Sequence, residues 1–132
     1  MWAKEVESAI VEIHQFFEDW YNGAAEKRAF RANVADHFAH GFKIVMPDGT
    51  LYQRGEILPL IEKGFGTSRD FKIEIKMRSS EEIGDSFTLA LYEEWHMEEG
   101  HERKGRLAVL LLEQVAPGKF LWRHCHETPL PA

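Results

Sequence analysis

Acidic and basic side chains that could do acid–base chemistry stand in two segments of the second half of the chain. Glu93 lies in a row of alternating apolar residues, and Arg123 and Glu127 share strand parity with Cys125 in the segment Lys119–Thr128. A carboxylate among apolar side chains is costly unless it is paired or protonated, and a carboxyl group held in that way can serve as a general acid or base. The sequence therefore predicts Glu93, Glu127 and Arg123 as candidate catalytic residues.

Strand pairing predicts how these groups would be spaced. If Glu93 lies near Leu107 and Leu107 faces Glu127, the two carboxylates are two strands apart, about 9 to 10 Å at Cα. That gap leaves room for a substrate or a water, with Arg123 deciding which carboxyl group stays ionised. A structural ion pair between Glu93 and Arg123 explains the same residues, because such pairs also perturb pKa values.

The histidines and the cysteine give weaker support to metal binding and to nucleophilic catalysis than the carboxylates give to acid–base chemistry. His124 and His126, two apart on a strand, face the same way and invite a metal hypothesis together with His96, but no third ligand is evident. Cys125 has no base on its own face and so lacks what a nucleophilic thiol needs. His14 and His37 are further candidates, because they could reach a pocket from the two predicted helices. We predict no metal and no cofactor.

Composition bounds the class of protein. The chain has 132 residues, 44% of them hydrophobic and 29% charged, and a formal net charge of −6. This predicts a single folded domain over residues 1–132 and disfavours nucleic acid or an anionic membrane as a partner. A single cysteine, the absence of a secretory leader pattern and the absence of an apolar run of about 20 residues predict a cytoplasmic protein that does not span a membrane.

The first half of the chain has helical periodicity. We predict one helix over Trp2–Tyr21 and a second, with Phe30, Val34 and Phe38 at intervals of four, ending near His40. A small hairpin and a short third helix follow, in which Pro59 is tolerated if it lies in the first turn. The hairpin strands are Phe42–Met46 and Thr50–Tyr52, and the third helix is Glu56–Lys63.

The second half alternates with strand period and predicts four antiparallel strands. They are Phe71–Arg78, Phe87–Met97, Lys104–Val115 and Lys119–Thr128. A hairpin closing at 116–118 would place Leu111, Val109 and Leu107 opposite Arg123, Cys125 and Glu127. The turn at Gly84 needs a bulge or a three-residue loop to keep the apolar pattern in phase.

Leu107–Leu112 is apolar on both faces, although helices can cover only one face of a sheet. The economical explanation is a twofold homodimer through the outer sheet face. We predict that this face includes Leu110, Leu112, Trp122 and His124.

The order of elements and four motifs resemble the nuclear transport factor 2-like superfamily, in its SnoaL-like and polyketide-cyclase-like branch. The motifs are Phe16–Tyr21, Met46–Gly49, Tyr92–Trp95 and Gly118–Phe120 leading into His124–Thr128. The resemblance implies an α+β cystatin-like cone, with N-terminal helices packed on a strongly curved antiparallel sheet that encloses a pocket. Members include isomerases, dehydratases, cyclases, epoxide hydrolases and association modules.

The resemblance also implies which side chains face the pocket. It points Arg123, Cys125 and Glu127 inward and Trp122 and His124 outward. The predicted substrate pocket comprises Phe17, Trp20, Tyr21, Met46, Leu91, Trp95 and Cys125.

Several positions depart from the catalytic patterns of the superfamily. The carboxylate base of ketosteroid-isomerase-like members falls on Met46, their tyrosine donor near Phe16 or Phe17, their acidic donor near Leu110, and the cyclases' aspartate near Cys125. Enolisation by those arrangements is therefore disfavoured. The function predicted is binding of a small apolar or cyclic molecule, as a lyase, isomerase or hydrolase, with a non-catalytic ligand-binding or association module as the alternative.

Overall fold

The first helix, α1, spans Ala3–Tyr21 in a computed structural model that describes residues 3–131. The predicted start of this helix at Trp2 and the outer limits of the predicted domain lie outside the described residues. Val6, Ile10, Ile13 and Trp20 recur on one face of α1 and are buried. Asn22 follows the last helical residue, and its side chain donates to the carbonyl oxygens of Glu18 and Phe71 and accepts from the backbone N–H of Phe71.

The predicted second helix is wrong in extent. Its residues form a 3₁₀ turn over Lys27–Ala29, a single helical turn α2 over Phe30–Asn33, and a second 3₁₀ turn over Ala35–His37. Val34 interrupts the helix at φ −126° and ψ −68°. Phe38, expected in the helix, begins a strand instead. Phe30, Val34 and Phe38 are all buried, so the spacing indicated core positions correctly but not one continuous helix.

Strands occupy most of the remaining chain, with one helix among them. The elements are β1 (Phe38–Val45), β2 (Leu51–Gln53), α3 (Arg54–Lys63), β3 (Lys72–Ile83), β4 (Phe87–Met97), β5 (Lys104–Ala116) and β6 (Lys119–Leu130). No helix within residues 3–131 is long and apolar enough to cross a membrane.

Helix α3 begins two residues earlier than predicted. Gln53 is its N-cap, and the side chain of Glu56 returns to the Gln53 backbone N–H at 2.9 Å, which completes a capping box. Pro59 therefore lies in the second turn of the helix rather than the first. A proline there removes one intrahelical hydrogen bond, because it has no N–H to donate.

The sheet has six strands in the order β2-β1-β6-β5-β4-β3. Strands β3 to β6 form the predicted antiparallel meander, and β1 adds to it by pairing parallel with β6. The sheet is curled but not closed, and α1 and α3 lie against its concave side. The fold is the predicted α+β architecture.

Two turns between strands determine the register. Gly84, Asp85 and Ser86 form the predicted three-residue loop, since Ile83 pairs with Phe87, but a bulge at Arg78 then shifts the β3–β4 register by one residue, so that Met77 pairs with Tyr92. From the pair Gln114–Phe120 to the pair Leu112–Trp122, the β5–β6 hairpin keeps the predicted register. Beyond that pair Leu111 faces His124, so Arg123 is an extra residue on β6 that forms a bulge.

The bulge makes part of the predicted register wrong. Cys125 faces Leu110 rather than Val109, and Glu127 faces Ala108 rather than Leu107. Because side chains alternate along a strand, a slip of one residue exchanges the two faces of the sheet.

The assignment of inner and outer faces on β4 and β5 is accordingly reversed. The concave face carries Ala90, Tyr92 and Glu94 from β4, and Ala108, Leu110 and Leu112 from β5, all of them buried. Leu110, Leu112 and Trp122 belong to the core, which contradicts their predicted place on the outer face. His124 lies on the outer face as predicted. The aliphatic residues that do face outward from these strands are Leu89, Leu91, Leu107, Val109 and Leu111.

Candidate functional site

A cavity of about 140 Å³ lies between α1, α3, β1 and the concave face of the sheet. Its walls are apolar and aromatic near the helices and β1, and polar where β4, β5 and β6 run side by side. The polar or ionisable side chains that line it are His14, Tyr21, Tyr92, Glu94, His96, Arg106, Cys125 and Glu127.

Glu94 lies at the centre of the polar wall and joins two histidines. Its Oε1 is 3.0 Å from Nε2 of His14, and its Oε2 is 2.5 Å from Nε2 of His96. Glu94 and His14 are buried, whereas the His96 side chain is 25% exposed. The network thus runs from the protein interior to the edge of the cavity.

The hydrogen bonds of His14 determine its protonation. Its Nδ1 is 2.7 Å from the carbonyl oxygen of Ile10, which can only accept, so Nδ1 carries a proton. Burial lowers the pKa of His14, but the Glu94 carboxylate outweighs burial and the pKa is raised. Burial likewise works against ionisation of Glu94, yet His14 and His96 together hold the pKa of that carboxyl group well below its usual range. The arrangement is a buried imidazolium–carboxylate pair in which His14 donates from both nitrogens.

A second ion pair borders the first. Arg106 donates from Nη1 to Oε1 of Glu127 at 2.9 Å, and the Glu127 side chain is 6% exposed. Burial raises the pKa of Glu127, the nearby negative charge of Glu94 raises it further, and Arg106 limits the rise. Glu127 is therefore the carboxyl group of this site that protonates more readily than usual.

Two further groups stay protonated in the cavity. The Tyr92 side chain is 1% exposed, and burial, with the neighbouring negative charges, raises the pKa of its hydroxyl well above the usual value. Within residues 3–131 no hydrogen-bond partner is present for this hydroxyl, so its proton is available to a molecule in the cavity. Burial raises the pKa of Cys125 well above its usual value, which keeps it a thiol and agrees with the expectation that it is not a nucleophile.

Five of the residues predicted for the site line this cavity: Phe17, Tyr21, Met46, Cys125 and Glu127. Trp20 is instead a core residue, 1% exposed, whose indole N–H donates to the carbonyl oxygen of Ile61 at 2.8 Å. It packs behind the cavity wall rather than in it.

Glu93, Leu91 and Trp95 lie on the opposite face of the sheet, which corrects their predicted inward orientation. They have odd numbers on β4, where the even-numbered Tyr92, Glu94 and His96 line the cavity. Oε1 of Glu93 accepts from the Trp95 indole at 2.8 Å, and its Oε2 accepts from Arg78 at 2.6 Å. These two hydrogen bonds lower the pKa of Glu93, which makes it a structural carboxylate.

Arg123 does not join either carboxylate to which it was assigned. As the bulged residue of β6 it is exposed, and its Nη1 lies 3.5 Å from Oε1 of Glu113. The predicted Glu93–Glu127 pair is therefore absent because these two side chains are on different faces, and the predicted Glu93–Arg123 pair is absent because Glu93 pairs with Arg78 and Arg123 with Glu113.

Sequence reasoning missed Glu94 and Arg106 and placed His96 at most near a metal. His14 alone among the network residues was named as a candidate for the pocket. The sequence did contain a pattern that could have identified them. Tyr92, Glu94 and His96 are alternate residues of β4, and Glu94 pairs with Arg106 on β5, so all four would have been grouped if the even-numbered face had been taken as the inner one. Because β4 has apolar residues on both faces, its sequence does not show which face is the inner one.

A larger cavity of about 400 Å³ lies on the other side of α1, and Trp122 contributes to the walls of both cavities. Its titratable residues, Glu12, Asp36, His37 and Lys119, are all exposed. Chemistry is concentrated in the smaller cavity, where the ionisable groups are buried and paired. Among residues 3–131 no cluster of three or more metal-binding side chains is arranged to hold an ion.

No protein-family model matches the sequence, and no curated protein matches it. Solved structures do. An NTF-2-like protein of unknown function from Pseudomonas aeruginosa is 28% identical with a TM-score of 0.83, over 98% of both chains. A ketosteroid isomerase-like protein from Erwinia carotovora atroseptica is 10% identical with a TM-score of 0.67, over 96% of this chain and 94% of the other.

A third similar structure is ActVI-ORFA from Streptomyces coelicolor, 18% identical with a TM-score of 0.64 over 96% of both chains. The last two similarities concern the fold alone, since their identities are low. Together with the helix order, the curled sheet and the Pseudomonas structure, they confirm the resemblance drawn from the motifs. The chain has the fold of the nuclear transport factor 2-like superfamily, as the motifs predicted.

Proposed function

We propose that the chain binds a small, single-ring carbonyl compound in the 140 Å³ cavity and catalyses proton transfer on it, as an isomerase or a lyase. The observation that carries this proposal is the buried Glu94 carboxylate joining His14 to His96 at the end of an otherwise apolar cavity.

The size of the cavity supports one ring. A dry cavity of about 150 Å³ lined by apolar side chains accommodates benzene in another protein, so 140 Å³ matches a molecule of that class. Its walls include Phe17, Phe42 and Ile57, which would contact the ring, while the polar groups lie together on the sheet.

His96 is the candidate base. Because the Glu94 carboxylate can only accept, Nε2 of His96 carries the proton in their hydrogen bond, which leaves Nδ1 with a lone pair. The role of Glu94 is then that of the carboxylate which orients the histidine of a catalytic triad. His14 keeps Glu94 ionised, so that it remains an acceptor.

Tyr92 is the candidate hydrogen-bond donor to the carbonyl oxygen. Its buried hydroxyl has a raised pKa, so it stays neutral and can donate to an oxygen that becomes negative during proton abstraction. Glu127, with its raised pKa, is available to return a proton at a second position of the ring or to a leaving hydroxyl group.

Deuterium exchange tests the proposal directly. The protein is incubated in D₂O with five- and six-membered cyclic ketones and enones, and loss of the α-proton signal is followed by NMR alongside thermal shift. A ligand present at 100 times its dissociation constant should add roughly 2.7 kcal/mol to the free energy of unfolding.

Matched variants identify the groups responsible. His96→Gln should abolish exchange while leaving the thermal shift, and Tyr92→Phe should reduce exchange on the order of 100-fold, as loss of one oxyanion donor does. His101→Gln, at an exposed turn residue, is the control and should change neither. Binding without exchange would refute catalysis and favour the ligand-binding module, whereas no shift with any ring compound would refute the site.

A homodimer through the outer sheet face is our proposal for a protein partner. Leu89, Leu91, Leu107, Val109 and Leu111 form a contiguous aliphatic patch on two neighbouring strands, and Val109 is 37% exposed. Patches of this kind usually mark an interface, and a second copy offers the same patch in a twofold arrangement.

Sedimentation of the wild type and of Leu91→Asp tests the association. We expect a dimer at micromolar concentration that Leu91→Asp converts to a folded monomer, because a carboxylate in an apolar interface has no partner. Val11→Asp, at a 43% exposed position on α1, is the control and should remain dimeric. A monomeric wild type would contradict the proposal.

A further inference from the structure

The outer face carries a second set of functional groups that the cavity does not use. His124 and His126 are two residues apart on β6, so their side chains leave the same face of the strand. Nε2 of His124 lies 2.8 Å from Nδ1 of His126, and the ring centroids are 4.7 Å apart. His126 is exposed and His124 is half-buried.

From this geometry we infer a binding site for a divalent transition-metal ion at the His124–His126 pair on the outer face of β6. The class of ion is the one that prefers imidazole nitrogen with square-planar or tetragonal geometry, namely Cu²⁺ or Ni²⁺. Two ligands come from the protein, and the remaining coordination positions are left to water.

The two nitrogen atoms already face each other across one hydrogen bond. At most one proton can lie between them, so at least one of the two nitrogens presents a lone pair. A metal ion replaces that shared proton as the group that both nitrogens contact. The ring that gave up the proton takes another on its second nitrogen, so both imidazoles stay neutral and no net proton is released.

The spacing of the two nitrogens discriminates between metals. With metal–nitrogen bonds of about 2.0 to 2.1 Å, a separation of 2.8 Å gives an N–metal–N angle of about 85 to 90°. Such an angle suits two adjacent positions of a square-planar or octahedral ion. A tetrahedral zinc site would need the nitrogens about 3.3 Å apart, so Zn²⁺ is expected to bind less well than Cu²⁺.

The strand neighbours weaken cation binding at one side of the pair only. Leu111 and Val109 pair with His124 and His126 from β5 and offer no competing ligand. On β1, Lys43 pairs with His124 and Val45 with His126, and Lys43 is exposed. The Lys43 ammonium repels a bound cation, which supplies a variant that should tighten binding.

Equilibrium titration with Cu²⁺, Ni²⁺ and Zn²⁺ against a competing chelator tests the inference. Wild-type protein should bind Cu²⁺ more tightly than Zn²⁺, and His124→Gln and His126→Gln should each weaken Ni²⁺ binding by about tenfold or more, since a chelate becomes a single ligand. Lys43→Gln should strengthen binding by about threefold or more, because one repulsive charge is removed. His101→Gln should leave every constant unchanged.

Electron paramagnetic resonance of the copper-loaded protein gives an independent readout, with two equatorial nitrogens in the wild type and one in His126→Gln. Equal affinities of the wild type and both histidine variants would overturn the inference, as would tighter binding of Zn²⁺ than of Cu²⁺. Repeating the titration on Leu91→Asp decides whether the site belongs to one chain. Loss of binding in that variant would refute a single-chain site.

Discussion

Removing His14 should reveal the cost of an unpaired charge in the cavity wall. The Glu94 side chain is 8% exposed, and in His14→Leu its carboxylate would keep only His96 as a partner. At 3.0 Å and an effective dielectric constant of about 20, the His14–Glu94 attraction is about 5 to 6 kcal/mol. Breaking a buried pair by removing one partner typically costs about 3 to 5 kcal/mol, so we expect a loss of that size at pH 6.

The pH dependence of this loss carries a sign that can be checked. The pKa of His14 is raised above 6.5, so its contribution to the free energy of unfolding is full below pH 6.5 and is lost as the pH rises through the folded pKa. The pKa of Glu94 is lowered below 4.5, so its contribution is present above pH 4.5 and is lost as the pH falls through the folded pKa. The difference between wild type and His14→Leu should therefore be largest between pH 4.5 and pH 6.5.

Urea unfolding of the wild type, His14→Leu, Glu94→Gln and the double variant provides the assay. The double variant should be more stable than His14→Leu, because the amide removes the unpaired charge, with a coupling energy of about 1 to 3 kcal/mol. Glu113→Gln, which breaks the more exposed pair with Arg123, is the control and should cost less than about 1 kcal/mol. Additive losses, or a loss that does not vary between pH 5 and pH 8, would refute the imidazolium–carboxylate pair.

Of three further predictions, two concern packing and one concerns the ionisation of a carboxyl group. Gly105→Ala should destabilise by about 1 to 3 kcal/mol, measured by urea unfolding, because a Cβ there would overlap the Trp95 ring; full stability would contradict that contact. Leu110→Ala should lower the free energy of unfolding by about 2 to 5 kcal/mol, since Leu110 is fully buried. In the monomeric Leu91→Asp protein, the control Leu111→Ala should lower it clearly less, because Leu111 faces outward. Glu127→Gln should remove a decline in stability that the wild type shows as the pH rises from 4.5 through the raised pKa of Glu127; equal pH profiles would refute that shift.

Much of the fold could be predicted from the sequence because period and turn chemistry act locally. The helix over residues 3–21, the four-strand meander and the loop at Gly84 each follow from spacing along the chain. The parallel pairing of β1 with β6 could not be predicted in this way, because it joins segments about 80 residues apart that no tight turn connects.

The site was harder to predict because face assignment depends on a single residue. Cys125 and Glu127 were placed inward correctly, yet the same argument turned Glu93 inward and Glu94 outward. Apolar side chains on both faces of β4 and β5 removed the contrast that normally identifies the buried face. The bulge at Arg123, which reverses parity within β6, has no proline or glycine to mark it.

That bulge divides β6 into two segments that can vary separately. Before Arg123 the inward residues are Phe120 and Trp122, which pack in the core, and after it they are Cys125 and Glu127, which line the cavity. If Arg123 instead took part in strict alternation and the cavity residues kept their places, Leu121 rather than Trp122 would turn inward. One inserted residue thus lets a single strand serve packing at one end and chemistry at the other without a compromise in either register.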